Sequence, residues 1–109
     1  MKNSLDNLLE ILNEIIQLLE SDGEQHWSRW MRQVHTQVSN SDYAGIEKLM
    51  SAYGGMGSFN DLVIYQEYEN GQFRWKDGHV EKNKKLSELR SQVWELAQFI
   101  TRDHINSNS

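Results

Sequence analysis

The chain has 109 residues, a formal net charge of −5, and neither cysteine nor proline. A chain of this length is expected to form one domain with a core of its own. The lack of cysteine excludes a disulfide framework and a thiolate metal site. No apolar run approaches the roughly 20 residues of a membrane span, and the N-terminus lacks the order of a signal peptide, so we expect a cytoplasmic protein without a membrane partner.

The charge is distributed unevenly along the chain. Residues 1–24 contain one lysine and six carboxylates, whereas residues 74–109 contain seven lysines and arginines against five carboxylates. We expect no nucleic-acid partner, since phosphate contacts require an excess of cations. The acidic segment suits a basic protein surface through long-range attraction, or is simply the solvated face of a helix. We interpret the C-terminal cations as a surface patch, with pairing to the acidic first helix as one option.

Three helices are predicted in the first half of the chain. Leucines and isoleucines recur every three or four residues over 5–19, with Ser4 as N-cap and Gly23 as the C-terminal stop. A second helix is predicted over about 24–38, with two tryptophans on its apolar stripe. A short third helix is expected to end at Gly54 in the left-handed conformation.

The hydrophobic period then changes to two, which predicts a β-hairpin. Residues 62–68 are rich in β-branched and aromatic types, and Asn70-Gly71 favours a two-residue type I′ turn. Such a turn places four pairs opposite one another: Glu69 and Gln72, Tyr68 and Phe73, Glu67 and Arg74, Gln66 and Trp75. A lone hairpin is marginal in water, so we expect one of its faces to pack on the helices. The candidates for burial are Ile64, Tyr68, Phe73 and Trp75.

A last helix is predicted over about 83–103, after a second turn at Asp77-Gly78. Three lysines near its start oppose the helix dipole, so either the helix begins later than residue 83 or these lysines point elsewhere. The predicted fold class is α+β, mostly α: one four-helix domain over residues 1–105, with one antiparallel hairpin near 62–76 inserted between helices 3 and 4. Residues 106–109 are expected to form a disordered tail.

The segment between the third helix and the hairpin combines glycines with capping residues: Gly54, Gly55, Gly57, Ser58, Asn60 and Asp61. Ser58 and Asp61 have capping-box spacing, so we expect a single helical turn in which they close each other's backbone amides, with Phe59 in the core. Bare amides in such a loop are able to bind phosphate. A P-loop, however, has a lysine after its last glycine and a strand before the loop, and neither is present. We therefore interpret the loop as a structural joint.

No set of residues in the sequence is typical of catalysis. A serine-nucleophile signature is missing, and the four histidines lack the three- or four-residue spacing of metal ligands on one helix face. We expect a protein that is not an enzyme and has neither a metal site nor a cofactor.

The run Ala-Tyr-Gly-Gly-Met-Gly-Ser-Phe-Asn-Asp-Leu over 52–62, preceded by His26-Trp27 and Trp30, resembles a family of small uncharacterised bacterial proteins built around the same glycine loop. The similarity covers about residues 5–100 and implies no catalytic residue. In size and acidity the chain also resembles, by type, the immunity proteins that neutralise secreted bacterial toxins. This second resemblance implies a cognate toxin as the protein partner.

Three functional hypotheses follow. The first is a protein-binding module of the immunity or antitoxin kind, whose contacts lie on helix 1 and the hairpin: Glu10, Glu14, Tyr65, Glu67, Arg74 and Trp75. The second is a small-molecule or nucleotide-binding protein that uses the Gly54–Asp61 loop. The third is a homodimeric structural protein that associates through Ile11 and Leu18, which widen the apolar stripe of helix 1.

Overall fold

The computed structural model describes residues 3–54 and 56–107. Within these residues, the elements in chain order are α1 (Ser4–Asp22), α2 (Gln25–Ser39), α3 (Ala44–Ser51), β1 (Gln66–Glu69), β2 (Gln72–Trp75) and α4 (His79–Ser107). A single 3-10 turn, Phe59–Asp61, lies between α3 and β1. The predicted fold class is confirmed: the protein is α+β and mostly α, with an antiparallel hairpin between the third and fourth helices.

One hydrophobic core joins the four helices. The apolar stripe of α1 lies at its centre, because α1 packs against both α2 and α4, while α3 packs on α2 and touches α4. The buried apolar residues come from every helix and from the segment before the hairpin: Leu8, Leu12, Ile15, Ile16, Leu18, Leu19, Met31, Val34, Val38, Ile46, Leu49, Ala52, Phe59, Ile64, Leu86, Leu89, Val93 and Ala97.

Both ends of α1 are capped by side-chain or backbone geometry. The N-cap is Asn3, whose Oδ1 accepts a hydrogen bond from the Asp6 amide at 2.8 Å. The predicted N-cap, Ser4, is therefore wrong by one residue. Asparagine caps helices as well as serine does, and the Asn3 carbonyl also accepts a hydrogen bond from the Asn7 amide. Gly23 ends the helix at φ 78°, as predicted.

The third helix ends earlier than the sequence indicates. Its last residue is Ser51, and Ala52 keeps right-handed dihedrals, so Gly54 is not the residue that caps it. The helix ends in 3-10-type hydrogen bonds: the Ala52 amide donates to the Leu49 carbonyl, and the Tyr53 amide donates to the Met50 carbonyl. Gly54 takes its positive φ of 98° two residues later, inside the loop.

The strand predicted over 62–68 is interrupted at Tyr65. Tyr65 has a φ of 64°, which a bulky residue rarely adopts and which breaks the extended run. Before it, the amide and carbonyl of Ile64 bind the Asn83 side chain at 2.9 Å each rather than a neighbouring strand. The paired strand therefore begins only at Gln66.

The last helix starts four residues before the predicted Asn83. It begins at His79, directly after the Asp77-Gly78 turn, in which Gly78 has a φ of 81°. The expected later start is therefore wrong. With Glu81 as the acidic residue of the first turn, Lys84 and Lys85 lie beyond that turn, where the helix dipole has little effect. At the other end, Asn106 and Ser107 belong to α4, while the rest of the predicted tail, 108–109, lies outside the described residues.

The hairpin has the predicted register, but it does not pack as expected. All four cross-strand pairs are as predicted, and the turn has φ values of 53° at Asn70 and 78° at Gly71, as type I′ requires. Of the four candidates for burial only Ile64 is buried, and it precedes the strand. Tyr68, Phe73 and Trp75 are exposed, because the extensive contacts among the described elements join helix to helix and β1 to β2 and do not cover the hairpin with a helix.

Candidate functional site

One face of the hairpin carries a continuous row of exposed aromatic rings, the aromatic face: Tyr68, Phe73 and Trp75. The ring centroids of Tyr68 and Phe73 lie 5.6 Å apart across the strands, and those of Phe73 and Trp75 lie 5.1 Å apart along β2. The Trp75 ring then stacks on the His79 ring at 4.6 Å. Tyr68 keeps 75 % of its surface exposed, and Phe73 and Trp75 each keep 42 %. The rings order one another while they remain available to a partner.

The backbone pattern explains why these rings lie close together. The Lys76 amide donates to the Tyr65 carbonyl at 2.8 Å, which marks that pair as a hydrogen-bonded one. Opposite pairs alternate in an antiparallel ladder, so Tyr68 and Phe73 form a non-hydrogen-bonded pair, in which side chains approach most closely. The aromatic face follows from the register set by the Asn70-Gly71 turn.

The opposite face of the hairpin, the charged face, carries Glu67, Glu69 and Arg74. The Arg74 guanidinium pairs with the Glu67 carboxylate directly across the strands and reaches the Glu69 carboxylate at 3.5 Å. Arg74 and Glu69 are largely exposed and Glu67 is partly exposed, so the pairs contribute little to stability. They give the hairpin two chemically different faces, one aromatic and one ionic.

The hairpin is attached to the C-terminal end of α1 by polar contacts. The hydroxyls of Ser21 and Tyr65 share a hydrogen bond of 2.8 Å, and the Lys76 ammonium lies 2.7 Å from the Asp22 carboxylate. The hydrogen bond to Asp22 raises the pKa of Lys76 above its ordinary value. Lys76 also donates to the Asp22 carbonyl at 3.0 Å. Tyr65 and Lys76 are thus the two anchors at the base of the hairpin.

The glycine loop forms the predicted single turn, with its caps shifted by one residue. The Ser58 hydroxyl accepts from the Asn60 amide at 3.3 Å, and the Asp61 carboxylate accepts from the Gly57 amide at 3.0 Å. The expected reciprocal bonds between Ser58 and Asp61 are therefore wrong, because a 3-10 turn is shorter than the α-turn of a capping box. Gly55 lies outside the described residues.

Phe59 fastens this loop to the core, as predicted. It is completely buried, and its ring lies 5.3 Å from that of Trp27 and 5.8 Å from that of Tyr53. Arg90 of α4 completes the attachment, since one of its guanidinium nitrogens donates to the carbonyls of Phe59 and Leu62 at 2.9 Å each.

Beside the loop lies an open cleft of about 410 Å³, bounded on the other side by α4. We call it the loop cleft, and its polar and aromatic lining includes Asn60, Ser87, Arg90, Ser91, Trp94 and Glu95. At its edge the Tyr53 hydroxyl donates to the Arg90 carbonyl at 2.8 Å. Burial raises the pKa of Tyr53 above its ordinary value and lowers that of Arg90. Both pKa shifts reflect the incomplete hydration of the contact between Tyr53 and Arg90.

The structure brings together only part of the predicted partner-binding set. Tyr65, Glu67, Arg74 and Trp75 belong to one hairpin, although Tyr65 is an anchor at its base. Glu14 pairs with Lys85 at 3.6 Å, and together with the Lys76 contact this confirms the predicted pairing of the basic patch with α1. At 1.5 Å of rise per residue, Glu14 lies about 12 Å and Glu10 about 18 Å along α1 from the attachment at Asp22.

The predicted dimer contacts on α1 are not both available to a second chain. Leu18 is only 8 % exposed and belongs to the protein's own core, and Ile11 is half-buried against that core. The apolar stripe of α1 is wide because α1 contacts two neighbouring helices.

Several residues of both sites were not singled out by the sequence as functional. Tyr68 and Phe73 were candidates for burial, whereas they are exposed. Ser87, Arg90, Ser91 and Trp94 lie three or four residues apart and form a stripe of polar and aromatic side chains on one face of α4. That spacing was a usable signal, and it was hidden by the stronger apolar stripe of the same helix.

The chain belongs to the family described as Domain of unknown function (DUF6966), whose model matches residues 20–77. The match spans more than half of the 109 residues and includes α2, α3, the glycine loop and the hairpin. Searches of the curated proteins and of the solved structures found no match to this chain.

The residues that the structure describes contain neither a membrane-spanning helix nor a group of metal ligands. None of their helices is both long enough and apolar enough to cross a membrane. Among the same residues, no group of three or more histidines and carboxylates is arranged to hold a metal ion.

Proposed function

We propose that this protein is a non-enzymatic binding module that docks a protein partner on the aromatic face of its hairpin. The observation that carries the proposal is the exposure of Tyr68, Phe73 and Trp75 in one ordered row. Aromatic residues are enriched among the side chains that dominate the energy of protein interfaces. A two-stranded hairpin is marginal in water by itself, so a partner that covers this face would also stabilise it.

Charge supports a basic protein as the partner. The formal net charge of −5 attracts a cationic protein at long range and raises the rate of encounter. Glu10 and Glu14 contribute to this field from α1, at a distance from the hairpin, and are not needed as direct contacts. We therefore propose, as the concrete form of this function, an immunity or antitoxin-like protein that neutralises a basic bacterial toxin by direct binding.

The non-enzymatic part of the proposal rests on the sequence. The chain has no cysteine nucleophile and no serine-nucleophile signature. A cytoplasmic location belongs to the same proposal and agrees with the absence of cysteine.

The test is co-expression and pull-down with the product of the neighbouring gene, followed by measurement of the dissociation constant. We expect a submicromolar complex that protects cells from the neighbour's toxicity. The double variant Tyr68→Thr/Phe73→Thr keeps residues that favour strands but removes two rings. Loss of two interface anchors at 1–2 kcal/mol each is expected to weaken the complex roughly 30-fold or more.

The matched control is Glu67→Thr/Arg74→Thr, which makes the same kind of change on the charged face. This variant is expected to bind within about fivefold of the unchanged protein, because exposed ion pairs contribute little. Equal losses in both variants would point to the hairpin fold rather than the aromatic face. The proposal fails if the neighbouring product is not toxic and no protein binds more tightly than micromolar.

A further inference from the structure

The loop cleft has the composition of a binding site for a small molecule, and no part of the proposed protein-binding role uses it. Four of its side chains, Ser87, Arg90, Ser91 and Trp94, recur at three- and four-residue spacing and therefore lie on one face of α4. Its volume of about 410 Å³ is within the range of ligand pockets, roughly 300–1,000 Å³.

Arg90 is the residue that gives the cleft its chemistry. It is half-buried, and among the residues that the structure describes it forms no ion pair with a carboxylate. The carbonyls of Phe59 and Leu62 both accept from Nη1. The N–H groups on Nε and Nη2 have no acceptor among the described residues. Asp61 attracts this partly dehydrated cation from beyond ion-pair distance, and an anion placed against the free N–H groups is stabilised further.

We propose that the loop cleft binds a small organic anion, with its carboxylate or phosphate group on the Arg90 guanidinium and its ring against Trp94. Ser87 and Ser91 lie one helical turn apart and line the same cleft as Arg90, so their hydroxyls donate to the same anionic group. The planar guanidinium suits either group, since both accept two parallel hydrogen bonds.

Glu95 restricts the charge that the ligand is able to carry at its other end. It lines the same cleft, one turn beyond Ser91, and its carboxylate repels a second negative group at that end. The ligand class is therefore a molecule with an anionic head and an uncharged or cationic remainder. Of the glycine-loop residues that the structure describes, only Gly54 and Asn60 line the cleft, so the described binding residues are mainly those of α4.

The first experiment uses pairs of probes that differ in charge: benzoate with benzamide, and adenosine monophosphate with adenosine. Binding is followed by NMR chemical-shift changes of the amides of Ser87, Ser91 and Trp94 and of the Trp94 indole. We expect saturable shifts at these groups with at least one anionic probe, and at least tenfold weaker binding of its neutral analogue. The better of the two anionic probes distinguishes a carboxylate from a phosphate ligand.

The second experiment blocks the cleft without disturbing the loop. Arg90 itself holds two loop carbonyls, so its replacement would test folding rather than binding. Ser91→Glu instead places a carboxylate beside the guanidinium and is expected to weaken the anionic probe at least tenfold without lowering the melting temperature. The control, Gln92→Glu, adds the same charge to an exposed neighbour of α4 outside the cleft and is expected to change binding less than threefold.

The inference is overturned if neither anion saturates by about 10 mM, if the shifts lie elsewhere, or if Ser91→Glu binds like the unchanged protein. These outcomes are independent of the protein-binding proposal. The hairpin variants Tyr68→Thr/Phe73→Thr are expected to leave probe binding unchanged, and Ser91→Glu is expected to leave binding of the protein partner unchanged.

Discussion

The helical body and the hairpin belong to one small protein but are stabilised by different means. The body buries apolar residues from all four helices in one core. The paired strands bury none of their apolar side chains and rely on a tight turn, a row of rings and two anchors at Tyr65 and Lys76. A change in the body should therefore affect the whole molecule, whereas a change in the hairpin should act locally. Regions of low local stability are also the usual ones for binding, which agrees with the proposed role of the aromatic face.

The largest expected difference comes from the same substitution in each region. Phe59→Ala removes a completely buried ring and is expected to lower the free energy of unfolding by about 3–5 kcal/mol. Phe73→Ala removes an equally large but 42 % exposed ring and is expected to cost less than about 1 kcal/mol. Urea denaturation followed by far-UV circular dichroism measures both. Similar costs at the two positions would show that the hairpin is an integral part of the core.

The next effect concerns the residue that joins the two regions. The Asn83 side chain satisfies both backbone groups of Ile64 and also donates to the His79 carbonyl at 2.8 Å. Asn83→Leu would leave the amide and carbonyl of a buried residue without partners, at about 1–2 kcal/mol for each group, since the two bonds are only partly buried. We expect a loss of about 2–4 kcal/mol and faster hydrogen exchange throughout the hairpin.

An exposed asparagine of α1 provides the control for that prediction. Asn13→Leu makes the same chemical change at the surface and is expected to alter the free energy of unfolding by no more than about 0.5 kcal/mol. If Asn83→Leu lowered the free energy of unfolding as little as Asn13→Leu, another group would have to bind the amide and carbonyl of Ile64. The proposed role of Asn83 in joining the body to the hairpin would then be wrong.

These two regions also explain which parts of the fold were predictable from the sequence. The hairpin register follows from Asn70-Gly71 alone, since both residues adopt the positive φ that the type I′ turn requires. The apolar stripe of α1 likewise predicts its helix by spacing. Such features depend on residues close together in the chain, and they were predicted correctly.

Features that depend on distant residues were missed. Ile64 and Tyr65 are good strand formers, so their propensity predicts a strand that begins at Leu62. In the structure Asn83 binds the backbone of Ile64, and Tyr65 turns out of the strand. The loop cleft was missed for the same reason, because Arg90 reaches the glycine loop from 31 residues away. Propensity describes what a segment tolerates, and tertiary contacts decide what it adopts.

A smaller effect on the free energy of unfolding is expected at alkaline pH, where the Tyr53 hydroxyl beside the loop cleft ionises. Burial raises the pKa of Tyr53 in the folded state, so the unfolded state loses its proton first, at its ordinary value of 10.0. The contribution of protonated Tyr53 to the free energy of unfolding is therefore fully present below pH 10. Above pH 10 the free energy of unfolding decreases by up to about 1.4 kcal/mol per pH unit. Tyr53→Phe is expected to cost about 1 kcal/mol near neutral pH, through the lost bond to the Arg90 carbonyl, and to show a shallower decline above pH 10.

The measurement is urea denaturation at several pH values between 8 and 11 for both proteins. Lys76 also has a raised pKa and contributes a decline in the same direction, but it is present in both proteins and cancels in the difference. Parallel curves for the two proteins would mean that Tyr53 ionises as readily in the folded state as in the unfolded one.

The smallest global effect is expected from a glycine of the hairpin turn, and a glycine of the body offers a matched control. Gly23 and Gly71 share a φ of 78°, and a Cβ at either position would meet nothing within 4 Å. Alanine should therefore be strained by about 1 kcal/mol at both. Gly23 ends α1, whose unwinding disrupts the core, so Gly23→Ala should lower the global free energy of unfolding by that full amount. When the hairpin opens, the body stays folded, so Gly71→Ala can cost globally no more than the small free energy that keeps the hairpin closed. We expect a global change below about 0.5 kcal/mol for Gly71→Ala, with about twofold faster hydrogen exchange confined to the strands.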